Sequence, residues 1–127
     1  MHIPPHDNDN RPIIDINDAK VPYAFFNRVT LNRDEEFVYE LKEYESCIVP
    51  ATGSIIVNVY SLDERLIGNR INNVWDGEPE GVYVPTGLTA KIKCACDQAE
   101  IFIAGAKYSE QLQPFYIMGE DLDIVQY

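Results

Sequence analysis

Histidine is almost missing from this chain, and its distribution excludes more than its scarcity. The only two, His2 and His6, fall within the first six residues. No Ser/His/Asp or Cys/His triad is therefore feasible in the body of the chain. Positive charge is also scarce. Ten Lys and Arg are scattered among twenty-one Asp and Glu, giving a net charge of −11. A nucleic-acid ligand needs a Lys/Arg stripe along its phosphates, so none is expected. The same charge argues against an anionic membrane surface. No apolar stretch is long enough to span a bilayer. The N-terminus carries neither a basic n-region nor an apolar h-region, so no signal peptide is visible. The expected location is cytoplasmic, or assembled into a particle. Three cysteines, an odd number without an export signal, suggest reduced thiols. There is no P-loop, no dinucleotide fingerprint, no internal repeat and no long helical repeat.

What is present is strand. A chain of 127 residues that is 46% hydrophobic is one domain with a real core. Residues 1–18 are polar and Pro-bearing and read as an N-terminal arm; 19–127 read as the folded domain. In the arm, His2, His6 and Asp7 could hold a metal only loosely, because ordered sites need ligands fixed by a scaffold. Strands are expected over 23–31, 37–41, 46–49, 54–60, 82–85, 88–96, 99–106, 115–117 and 122–125. Residues 50–53, Pro-Ala-Thr-Gly, read as a turn joining two strands in a hairpin, and 61–67 read as a charged connection. Short strands with a turn every eight to twelve residues predict an all-β fold, a single antiparallel β-barrel or jelly roll of eight or more strands.

Pro85-Thr86-Gly87 is the sharpest punctuation, since Pro fixes φ and Gly can take φ > 0. It closes a run that begins at Arg70 and continues through Val74-Trp75, Gly77, Pro79 and Val82-Tyr83-Val84-Pro85. This run resembles the N-terminal half of the bacterial 5-deoxyglucuronate isomerase and 5-keto-4-deoxyuronate isomerase family. Trp75 stands where Phe is usual there, and the gap from Arg70 to Val74 is longer by one residue. A fainter likeness extends from about Tyr23 to Gln126. The resemblance implies a single cupin-like barrel. Proteins of that family have two such barrels, with the metal expected in the C-terminal one, so this chain looks like the metal-free half alone.

Enzymatic cupins hold a divalent metal with His-x-His, a Glu, and a further His after a Pro-x-Gly turn. Alternate strand residues share a face, so His-x-His aims two imidazoles into the barrel. Here the Glu position falls on Ser46 and the final His position on Ala90, and residues 37–45 contain no His. No metal and no other cofactor is therefore expected. Cys94 and Cys96, with Cys47 on a facing strand, are the other donor set to weigh. Their Ile, Val and Ala neighbours favour buried thiols over a thiolate site. Asp76, Glu78 and Glu80 beside Trp75 read as a solvated turn, with acid–base or sugar-binding use as the sharper alternative. Glu120, Asp121 and Asp123 read as charges that keep an edge strand soluble.

Two functions from different classes follow. One is a non-catalytic, metal-free module that acts through protein association, as a structural subunit of a symmetric assembly. A virion decoration or cement protein is one version. The alternative is a sugar or uronate isomerase of the 5-deoxyglucuronate type, an intramolecular aldose–ketose isomerase, or a sugar-binding component of one. A small-molecule sensor binding sugar in the barrel mouth is a third reading. Candidate sugar contacts are Arg70, Trp75, Glu78 and Tyr83; no catalytic residue is nominated. Candidate interface residues are Phe115, Ile117, Leu122 and Tyr127, an apolar set that marks a contact with a copy of the chain or a larger assembly.

Overall fold

The computed structural model describes residues 9–16, 23–70 and 80–117, with the backbone alone at 69 and 70. Eight strands and no helix occur among them: β1 (Ala24–Asn32), β2 (Glu36–Glu40), β3 (Tyr44–Val59), β4 (Leu62–Arg70), β5 (Gly81–Val84), β6 (Thr89–Cys94), β7 (Gln98–Lys107) and β8 (Phe115–Ile117). No helix among the described residues is long and apolar enough to cross a membrane. All pairings between strands are antiparallel. One sheet runs β1-β7-β3-β5-β8, and the other runs β2-β6-β3-β4. This is the two-sheet jelly roll expected from the alternation.

Strand β3 belongs to both sheets. Its first half, residues 44–52, pairs with β7 and β5, and its second half, 53–59, pairs with β4 and β6. The change occurs at Pro50-Ala51-Thr52-Gly53, with register shifts on either side. The expected hairpin is thus corrected to one bent strand. Pro and Gly signal a change of direction, and here the change is a corner and not a reversal. Gly53 has φ of +80°, and a Cβ there would lie 2.7 Å from the Gln98 carbonyl oxygen, 2.8 Å from Cys96 Sγ and 2.9 Å from Ala99 Cα. Gly68 of β4, with φ of +109°, packs against the same corner, and a Cβ on it would overlap the Gly53 carbonyl oxygen.

A second correction concerns residues 62–70, which form β4 and not a connection. The stretch Leu-Asp-Glu-Arg-Leu-Ile is read as polar because its outward residues are charged, yet Ile67 is buried and Leu62 packs on the core. The alternation elsewhere is as expected. Val29, Ile48, Ile55, Val57, Ile92, Ile101 and Ile103 are fully buried. Their neighbours Lys91, Asn58 and Ala104 face out. Fully burying side chains of this size stabilises the fold by about 1.5 to 3 kcal/mol each.

Part of the N-terminal segment lies on β1. Ile14 bridges Phe26, and the Asn10 side chain treats Thr30 as a strand partner would. It accepts from the Thr30 N–H at 2.8 Å and donates to its carbonyl at 3.0 Å. Residues 9–16 therefore occupy an edge whose peptide groups would otherwise be open to another strand.

Candidate functional site

Two places could carry function: the barrel interior at the positions where a cupin metal would be held, and the outer face of the β1-β7-β3-β5-β8 sheet. In the interior, Ser46 points inward from β3 and is buried, and Ala90 points inward from β6. Between them stands a residue that no local pattern marks. Tyr39 of β2 pairs with Ala90 across the sheet, and its hydroxyl lies 2.7 Å from Ser46 Oγ. The space is filled by a phenol. Two neutral hydroxyls and a methyl group do not fit the imidazole and carboxylate set that a catalytic divalent metal requires. Among the described residues, no three His, Cys, Asp or Glu side chains come together as a metal site.

Burial pushes the Tyr39 phenol well above its ordinary value of 10, with the Ser46 hydrogen bond opposing in part. Tyr39 is thus a neutral hydrogen-bonding group whose removal is felt. Tyr39→Phe leaves the buried Ser46 hydroxyl without this partner, and is expected to cost about 1–2 kcal/mol. The sign of the pH effect follows from the shift. The folded pKa lies above the unfolded one, so the contribution is fully present below pH 10 and is lost as pH rises above 10 toward the folded value. Urea unfolding should therefore show wild-type stability falling more steeply above pH 10 than that of Tyr39→Phe. Identical slopes would exclude Tyr39 as the source.

The outer sheet face is apolar along a continuous strip. Phe26 of β1 stacks on Phe102 of β7 at 5.8 Å, and Tyr83 of β5 stacks on Phe115 of β8 at 5.0 Å. Between the two stacks lies a depression of about 300 Å³ lined by Glu45, Ser46, Cys47, Tyr83, Ala104, Gly105 and Ala106. The hollow exists because β7 offers only small residues there, Ala104, Gly105 and Ala106. Gly105 lets the strands close up: a Cβ would lie 2.8 Å from the Glu45 carbonyl oxygen. The Tyr83 hydroxyl donates to Glu45 Oε2 at 2.6 Å. Burial, and then this bond to a carboxylate, raise the Tyr83 phenol pKa. A neutral phenol bonded to a carboxylate at the rim of an apolar hollow can orient a polar group.

The candidate residues are distributed as follows. Tyr83 lies in this hollow. Arg70 ends β4, where its backbone pairs with Gly53. Tyr83 pairs with Cys47, six residues back along β3 and on the other side of the corner. Phe115 is 51% exposed and Ile117 half-buried, both on β8. Trp75, Glu78, Asp76, Leu122 and Tyr127 lie outside the described residues, as do His2, His6, Asp7, Glu120, Asp121 and Asp123. Glu80 serves the backbone, accepting from the Gly68 N–H at 2.7 Å. The cysteines separate. Cys94 is in the core, whereas Cys47 lies on the outer face, half-buried. Glu45 and Tyr39 were not marked by the sequence, since each depends on a partner 38 or 7 residues away.

The chain is 27% identical over 114 residues to the 5-deoxy-glucuronate isomerases of two strains of Listeria monocytogenes serotype 4b, covering 88% of this chain and 42% of theirs. It therefore spans less than half the length of the curated relatives it matches. An IolB-like protein from Salmonella typhimurium LT2 superposes with a TM-score of 0.71 at 23% identity, over 78% of this chain and 37% of the other. An RmlC-like cupin family protein from Methanocaldococcus jannaschii, with a double-stranded β-helix fold, gives a TM-score of 0.57 at 15% identity, over 85% and 92%. Both structures share the cupin jelly roll. The sequence pattern of the KduI/IolB family matches residues 2–127, so it takes in the segment on β1, the bent strand and β8 alike, and the chain belongs to the KduI/IolB family.

Proposed function

We propose that this chain is a component of a sugar-acid isomerase of the 5-deoxy-glucuronate type, supplying the barrel that lacks a metal donor set and working beside a barrel that has one. The observation that carries the reading is the match of 88% of the chain to part of the curated isomerases, 42% of their length. The interior supports it, because Ser46 and Ala90 stand at two of the positions where a cupin's metal donors would be and the Tyr39 hydroxyl bonds to Ser46. The outer apolar face supports a docking role. The shared ancestry favours this reading over a structural subunit of a particle, which keeps only the element of association.

The test is a chimera in which this chain replaces the matched segment of the Listeria isomerase. Its turnover of 5-deoxy-glucuronate is followed by carbon NMR in the presence of a divalent metal. The chimera is expected to convert the sugar acid, and the chain alone is not. A folded but inactive chimera would count against the isomerase reading. Turnover by the chain alone would move the chemistry into this barrel.

A further inference from the structure

Two of the three cysteines meet where β6 turns into β7. Cys94 ends β6 with its side chain in the core, 0% exposed. Cys96 lies two residues later and is half-buried. On a straight strand such residues would stand about 7 Å apart. The turn instead brings their sulfurs to 3.9 Å. Cys96 Sγ accepts the Ser54 N–H at 3.2 Å, and the Cys94 thiol donates to the Cys96 carbonyl at 3.3 Å. The Cys96 sulfur also occupies the space that the missing Gly53 side chain leaves free.

The two thiols are unequal. Burial pulls Cys96 upward, but hydrogen bonds from Ser54 and Cys94 outweigh it and leave the thiol below its ordinary pKa. Cys94 is raised, chiefly by burial. The thiolate is the reactive form, and of this pair only Cys96 is partly exposed. Cys47 is raised by burial and lies on the outer sheet face, away from this pair.

We propose that Cys96 is a hydroperoxide-reactive thiol and that Cys94 resolves it. The Cys96 thiolate attacks one peroxide oxygen, and the O–O bond breaks. Cys96 becomes a sulfenic acid, and the other oxygen leaves as hydroxide or alkoxide. The Cys94 sulfur then attacks Cys96. An S–S bond forms, the S–O bond breaks, and the departing hydroxide takes the Cys94 proton as water. The peroxide is reduced and the two thiols are oxidised. The sulfurs must close from 3.9 Å to about 2.05 Å, a movement that falls on Cys96 in the turn. That movement takes the sulfur from the Ser54 N–H and loosens the corner beside Gly53.

The test uses the full chain and hydrogen peroxide. The wild type is expected to lose two of its three free thiols and two hydrogens in mass, with no cross-link between chains. In Cys94→Ser, dimedone should trap the sulfenic acid at Cys96. In Cys96→Ser, loss of Cys94 should slow by about tenfold or more, because that thiol is buried and raised. Circular dichroism checks that both variants keep the fold. Labelling of Cys47 first, thiol loss only through cross-linked dimers, or a Cys96 no faster than free glutathione would each overturn the proposal.

Discussion

Gly53→Ala is expected to cost about 3–4 kcal/mol of folding stability, and Gly87→Ala about 1–2 kcal/mol. Both glycines have positive φ, +80° and +78°, so each substitution carries the penalty of a side chain in the left-handed region. They differ in what the new methyl group meets. At Gly87 the nearest atom is the end of the Gln111 side chain at 3.5 Å, an ordinary contact that can move. At Gly53 it is backbone at 2.7 and 2.9 Å on β7, with a sulfur between. Relief there requires β3 and β7 to separate at the point where β3 changes sheets. Urea denaturation of the two variants checks this. Equal losses would mean that the corner is not tightly held.

The second large effect concerns association. We propose that the strip carrying Tyr83 and Phe115 is covered in the working protein, and that the chain alone self-associates through it at micromolar concentration. Phe115→Ser is then expected to weaken that association about 30-fold, as loss of an aromatic anchor worth about 2 kcal/mol does. Ile117→Ser adds to it from the same strand. The acidic balance of −11 opposes the contact, so raising salt should strengthen it by screening. Light scattering across a dilution series reads both effects. A wild-type monomer throughout would remove self-association and leave the face to a second barrel.

The fold was largely legible because its core residues alternate cleanly. Along β7, Ala99, Ile101 and Ile103 are buried and Phe102 and Ala104 face outward, as the sequence reads. The failures have physical causes. β4 is a sheet-edge strand whose exposed residues include Asp63, Glu64 and Arg65, with Arg65 on the same face as Ile67, so its single deep anchor, Ile67, is lost among charges. Residues 50–53 contain the ingredients of a turn, and local chemistry does not distinguish a turn from a corner within one strand. The site was legible by subtraction only. Ser46 and Ala90 could be located by spacing, but the phenol between them comes from β2. Its contact with Ser46 exists only after β2 has joined β6.

The shared strand also governs how the molecule comes apart. Residues 44–52 and 53–59 are one continuous peptide that is central to one sheet and then to the other. Neither sheet can lose its middle without dragging the other's, so the two layers melt as one unit and not in succession. The same arrangement slows assembly. β3 finds neighbours in β6 and β7, and β1 closes against β7 from the other end of the chain. Long loops must be closed before any of these ladders gives a return, which places the chain among slow folders.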